Sequence, residues 1–355
     1  MAEFTGSSPQ GGEKKYINLA LQGGGAHGAF TWGVLDRLLA DERIGIEAIS
    51  GTSAGAMNAV VLAHGIMENG RDGARKALFD FWKAISETAL LNPFKMSPWE
   101  VAAEKWNLDS SPTYLAFDIM TRIFSPYQLN PMNFNPLRDI LTSIVDFDTI
   151  CECEEIKLFI SATRVRDGQV EVFNRKRLSP DMIMASACIP FLYQAVRVEG
   201  EDYWDGGYMG NPVLFPFTYR CSCNDVVIVQ VNPLECQQTP KTAREILNRI
   251  NEITFNSSLL KELWSIDFIS RLLDEGSLDA NRYRKMLVHL ISGEDELKAF
   301  NASSKMNPEW SFFIKLHDIG WRKAGTWLDR NFDSLGHEPT LDLQSMYREN
   351  PIKES

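Results

Sequence analysis

The sequence contains no uninterrupted apolar run of the roughly 18 residues that a membrane-spanning helix requires. Its start, MAEFTGSSPQGGEKK, also lacks the apolar stretch of a secretory signal. Residues 1–15 therefore read as a flexible tail, and the expected location is cytoplasmic, with any membrane contact peripheral. Positive charge is in deficit: 36 Lys and Arg face 47 Asp and Glu, a formal net charge of -11. That balance offers no general attraction for polynucleotides, so a nucleic-acid partner is not expected. Cysteines number six, and four of them form the pairs Cys151-Glu152-Cys153 and Cys221-Ser222-Cys223. This spacing is tighter than that of ordinary zinc ligands and no histidine lies near either pair, so plain thiols and no metal are expected.

What the chain does have is an ordinary globular composition over 355 residues, with 44% hydrophobic and 23% charged residues. That length buries a sizeable core. Tyr16 to Leu21 reads as a buried strand, Ala29 to Ala40 as a helix and Ile44 to Ile49 as a second strand. The right-handed crossover rule makes the two strands parallel and brings the loops at their carboxyl ends to one edge of the sheet. From about 74 to 135 the pattern turns helical and rich in aromatics, from Phe79, Phe81 and Trp82 through Phe94, Trp99 and Trp106 to Tyr127 and Phe134. It reads as an insertion that fills the core or lines an acyl cleft. Lys157 to Val165 and Gln169 to Phe173 form a hairpin about Asp167-Gly168, Pro180 to Ala187 a helix, and Tyr193 to Val198 with Glu201 to Trp204 a strand pair. Asp225 to Val231 is continuously apolar, as in a strand buried on both faces.

Past residue 240 a separate, mostly helical extension is expected over 241–355, with a helix or helix pair over Lys241 to Leu273, a strand near Lys285 to Ile291 and a helix over Trp310 to Asp329. Apolar positions such as Ile246, Ile250, Ile253 and Leu259 repeat at near-helical spacing, which suggests packing on the main domain or on a second copy.

The chemistry concentrates in three short stretches. Gly23-Gly24-Gly25-Ala26-His27-Gly28 follows the first strand and opens the first helix. Backbone amides there converge on an anion, either a dinucleotide pyrophosphate or a transient oxyanion held by Gly24, Gly25 and Ala26. Gly51-Thr52-Ser53-Ala54-Gly55 has the G-x-S-x-G pattern of a nucleophile elbow between a strand and a helix, where Gly51 and Gly55 avoid collisions of a Cβ with neighbouring backbone. The acidic residue that would bind a ribose at the end of the second strand is absent. None of His27, His64, His289, His317 and His337 has an evident context as the base for Ser53. Asp205, closing a strand before Gly206 and Gly207, does.

Taken in order, these stretches together with Ala185-Ser186-Ala187-Cys188-Ile189-Pro190 resemble the patatin-like phospholipase family over about residues 16–235. The resemblance implies a three-layer α/β/α fold with a mainly parallel sheet and a Ser53–Asp205 dyad. Residues 23–28 would form the oxyanion hole, and the activity would be hydrolysis of fatty-acyl esters of phospholipids or lysophospholipids without a cofactor. Other acyl esters (neutral lipid, thioester or polyester) are the alternative, and a nucleotide-binding protein a third. Family members usually carry Arg or Lys where His27 stands, which predicts a charge titrating near 6.5 beside the hole and activity that falls as His27 deprotonates. Transient contact with a membrane surface and self-association through the extension are further expectations.

Overall fold

The computed structural model describes residues 14–88, 96, 98–236, 238–344 and 346; the expected tail up to 13 and Phe94 lie outside them. Strands β1 (Lys15–Leu21) and β2 (Ile44–Gly51) flank helix α1 (Gly28–Leu39), as the apolar spacing requires. Helix α2 (Ala54–Thr88) follows and breaks at Asn69 and Gly70. Just past the break, the Arg71 guanidinium donates to the carbonyls of Leu38, Leu39, Asp41 and Ile44, tying α2 to the turn between α1 and β2.

The aromatic-rich stretch supplies short helices α3 (Pro98–Ala102), α4 (Pro112–Ile123) and α5 (Pro126–Leu129), then α6 (Pro136–Ile144) and α7 (Phe147–Glu152). Its aromatics divide between two fates. Phe81, Trp82 and Trp106 are buried, with Trp106 stacked on Phe312, whereas Trp99, Phe124, Tyr127 and Phe134 are exposed. Strands β3 (Lys157–Arg164) and β4 (Val170–Asn174), helix α8 (Pro180–Ser186), and strands β5 (Val196–Val198) and β6 (Glu201–Asp205) come next. Helix α9 (Phe215–Arg220), β7 (Asp225–Gln230), α10 (Ala243–Asp274), β8 (Leu287–Ser292), α11 (Glu294–Leu297) and α12 (Trp310–Asn331) complete the order.

One sheet runs β5-β6-β3-β2-β1-β7-β8, with β4 also paired to β3. The β3-β2-β1-β7-β8 stretch is parallel, and β4, β5 and β6 are antiparallel additions at one side. Side chains alternate between two cores. Leu19, Leu21, Ile49, Ile160, Val227 and Val229 face a core closed by α1, α2, α8 and α12. Ala20, Ala48, Phe159, Val226 and Ile228 face one closed by α9 and α10. The fold is thus a three-layer α/β/α arrangement with further helices toward the carboxyl terminus.

Residues past 240 enter all three layers instead of standing apart. β8 pairs with β7, α12 packs on α1, and Leu259 and Leu263 of α10 join the second core. The break in composition near 240 marks a loop, and strand pairing across it overrides the expected boundary. Ile246, Ile250 and Ile253, expected to pack, remain exposed, whereas Leu259 and Leu263 farther along α10 are buried.

The α1–α12 contact is a glycine crossing. A Cβ on Gly33 would stand 1.9 Å from the His317 carbonyl oxygen, and one on Gly320 2.1 Å from that of Phe30. Gly33→Ala and Gly320→Ala are each expected to lower stability by about 2–3 kcal/mol, as overpacked cores do. Urea midpoints matching the parent would show that the helices do not meet there.

Candidate active site

Sheet register assembles the site. β1 pairs with β2 so that Leu21 stands opposite Gly51, which lays the loops after the two strands side by side. Gly51 stands opposite Ile160 of β3, and Ala162, two residues on, stands opposite Asp205 of β6. Ser53 and Asp205 thus reach the same sheet edge although they are far apart in sequence.

The elbow is held from all sides. Ser53 adopts a left-handed φ of 53°, a conformation that costs a non-glycine residue on the order of 1–2 kcal/mol. Its N–H donates to Ser186 Oγ at 2.9 Å, the Thr52 N–H to the Leu21 carbonyl at 3.3 Å and the Gly55 N–H to the Thr52 carbonyl at 2.8 Å. The Thr52 hydroxyl lies 2.6 Å from both the Gly210 carbonyl and Ser161 Oγ. A Cβ on Gly55 would lie 2.3 Å from the Leu21 oxygen, and one on Gly23 2.7 Å from Ser53 Cβ, so elbow and glycine loop approach to backbone contact. Helix α2 begins immediately after Ser53 and directs its positive end toward that residue.

Buried amides anchor the glycine loop. Gln22 Oε1 accepts from the N–H groups of Val231 and Asn232, each at 3.0 Å. Asn211 Oδ1 accepts from Gly23 N–H at 2.7 Å, and Asn232 Nδ2 donates to the Gly23 carbonyl at 2.7 Å. The His27 N–H goes to Gly24 and that of Gly28 to Gly25 and Ala26. Of the six residues 23–28, Gly24, Gly25 and Ala26 are left as candidate donors to an outside anion.

Asp205 is fully buried. Its Oδ1 accepts from Gly207 N–H at 2.7 Å, while Oδ2 has no hydrogen-bond partner among the described residues. Burial raises its pKa from the ordinary 3.8 to about 7, against the opposing pull of the Gly207 amide and the Ser53 hydroxyl. The hydroxyl is therefore within electrostatic reach of the carboxylate without closing a formed hydrogen bond. Phe255 of α10 roofs the turn: a Cβ on Gly207 would lie 2.0 Å from its ring.

The expected titration of His27 near neutrality is overturned. Its ring is buried, with Nε2 2.7 Å from Ser304 Oγ, and burial together with the neighbouring Lys305 ammonium drives its pKa down to about 3. The imidazole is neutral and engaged away from Ser53. Elsewhere, His289 bridges Asp225 and Thr340, His317 contacts Asp36 and Asp318, and His64 lies near Glu68. Gln22, Asn211, Asn232 and Lys305 carry no sequence signal, whereas Ser186 lies inside the Ala185–Pro190 stretch, to which no role was assigned.

A family model described as patatin-like phospholipase matches residues 19–218, a span that includes Ser53 and Asp205. No curated protein matches the sequence. Among solved structures, the chain is similar to VipD from Legionella pneumophila, with 16% identity, 90% of this chain and 67% of that chain covered, and a TM-score of 0.38. It is also similar to a chain of the heterodimeric ExoU–SpcU complex from the type III secretion system of Pseudomonas aeruginosa, with 15% identity, coverage of 88% and 52%, and a TM-score of 0.28. The chain spans about half the length of that second protein.

Between the ordinary carboxylate value and about 7, the folded protein retains a proton at Asp205 that the unfolded chain has released. The stability contributed by this group therefore falls as pH rises through that window. Asp205→Asn is expected to unfold like the parent near pH 4 and to be more stable by on the order of 2–4 kcal/mol above about pH 7, read by urea unfolding. Equal stability at the higher pH would contradict a desolvated carboxylate.

Proposed function

The chain belongs to the patatin-like phospholipase family, and we propose that it is a serine acyl hydrolase cleaving fatty-acyl esters of phospholipids or lysophospholipids, with Ser53 as nucleophile and Asp205 as base. The observation that carries this reading is the buried Asp205 carboxyl, its pKa raised to about 7 and its Oδ2 unpartnered, beside a serine on a strained elbow. A carboxylate tuned to neutrality is at once basic enough to accept a hydroxyl proton and acidic enough to return it.

In the proposed cycle Asp205 takes the Ser53 hydroxyl proton as Oγ bonds to the ester carbonyl carbon. Negative charge passes to the carbonyl oxygen, where the amides of Gly24, Gly25 and Ala26 and the positive end of α2 receive it. Collapse breaks the bond to the alcohol, which leaves with the proton from Asp205. Water then repeats the sequence on the acyl-serine, releasing fatty acid and restoring Ser53.

A lipid-surface substrate is supported by exposed apolar side chains on a stretch bonded to the segment between Cys188 and Asp205. Ile123, Tyr127, Met132, Phe134 and Phe191 are all more than half exposed. The Tyr127 hydroxyl accepts from Ala195 N–H, and the Gln194 side chain donates to the Asn130 carbonyl. These bonds join the apolar surface to the segment after Cys188, whose carbonyl accepts from Asp205 N–H at 2.7 Å. Among the described residues no helix is long and apolar enough to cross a membrane.

Ser53→Ala is expected to abolish hydrolysis, and Asp205→Asn to reduce kcat on the order of 10³-fold or more. Because only the ionised carboxylate accepts the proton, kcat/KM should rise with pH through about 7 and should keep that limb in His27→Gln. Labelling of a residue other than Ser53 by a fluorophosphonate would refute the assignment. Paired Ile123→Glu and Phe134→Glu substitutions should slow hydrolysis of phosphatidylcholine vesicles at least about tenfold and leave that of p-nitrophenyl butyrate unchanged. Equal effects on both substrates would remove the lipid-facing role of that surface.

A further inference from the structure

We propose that Lys305 supplies a fixed positive charge behind the glycine loop, acting through Asn232 as a positioning residue for the oxyanion formed at Ser53. The inference rests on the acyl-transfer reading of the site. It starts from the 3-10 turn Ala302–Met306, which is seated directly on the loop. A Cβ on Gly25 would lie 2.4 Å from the Lys305 carbonyl oxygen, and Ser304 holds the His27 ring.

The Lys305 side chain is half-buried, and its ammonium donates at 2.7 Å to Asn232 Oδ1. The other end of the same amide donates at 2.7 Å to the Gly23 carbonyl, and Gly23 abuts Ser53 Cβ. Asn232 lies just past the end of β7 and the glycine loop just past β1, neighbouring strands at the point where the strand order reverses. In open α/β sheets, ligands collect at that crevice.

This partly buried ammonium has no counter-ion in contact with it among the described residues. Among the described residues its hydrogen-bond acceptor is a neutral amide, and it forms no ion pair. The charges that face it are few. On α10, Glu252 lies near enough to favour the cation but is bridged to Arg249 at 3.0 Å. On the loop, His27 is neutral. On the neighbouring turn Leu108–Ser110, Asp109 is bridged to Arg244 and also accepts from Asn301. Burial lowers the pKa of Lys305 below the ordinary lysine value. A partly buried cation with no carboxylate in contact is best compensated when negative charge develops nearby, as it does on the carbonyl oxygen of a substrate attacked by Ser53.

The test measures p-nitrophenyl butyrate hydrolysis and fluorophosphonate labelling of Ser53 on the full chain from about pH 7 to pH 11. That range spans the ordinary lysine value. In the parent both rates should fall below the ordinary lysine range as Lys305 loses its proton. Lys305→Met should lower kcat about tenfold near neutrality with KM within about twofold, and should lose the alkaline fall. Lys305→Arg should retain the neutral rate and carry it to higher pH. Glu252→Gln leaves the loop untouched and removes the charge that favours the cation, so it should move the fall to lower pH. Full kcat in Lys305→Met, an alkaline fall at the parent's pH in Lys305→Arg, or no shift in Glu252→Gln would each overturn the proposal. If Lys305→Met does not fold, the Glu252→Gln shift decides. Absence of Ser53 labelling in the parent would instead overturn the acyl-transfer reading, and the Lys305 role with it.

Discussion

Backbone contact between two loops is the constraint from which the rest of this structure follows. Gly55 stands against the Leu21 carbonyl and Gly23 against Ser53, distances that no side chain tolerates. The contact exists because β1 and β2 are parallel neighbours in a register that ends both strands together. A serine with left-handed φ and the glycine loop are thereby brought to one point before any acid or base is considered. The glycines specify position, and the chemistry is added by what surrounds them.

Polar side chains from remote parts of the chain supply that surround. Asn211 and Asn232 grip Gly23 through its N–H and its carbonyl, and Gln22 ties the loop to the segment after β7. Each side-chain bond uses an amide, which fixes geometry without adding a charge that would compete with a developing anion. The Asp205 side belongs to the other half of the sheet, where β6 runs antiparallel to β3 and Phe255 keeps the carboxyl dry. One flank thus holds the loop through uncharged amides, with the Lys305 ammonium behind them, and the other is apolar and acidic.

Much of this was legible in the sequence, because strands buried on both faces, glycine-bounded turns and the elbow pattern are local signals. Asp205 was legible through its two following glycines, whose close packing on Ser161 and Phe255 forbids any larger residue. His27 was misread because a sequence supplies the imidazole's free titration but neither its burial nor the ammonium beside it. Lys305 and Asn232 left no trace, since their pairing arises only when the turn after α11 folds back over the end of β7. The boundary at 240 failed for a related reason: composition changes there, but β8 still pairs with β7.

Parallel pairing between β7 and β8 also limits how the polypeptide can be divided. The stretch matched by the family model ends at 218, before β7, β8, α10 and α12 have been made. Cut there, β1 would present a bare hydrogen-bonding edge, α1 would lose the helix against its glycine face, and the amide clamp on Gly23 would lack Asn232. The segment that announces the chemistry is therefore not an autonomous folding unit: its architecture is completed by residues whose sequence carries no hint of the reaction they enclose.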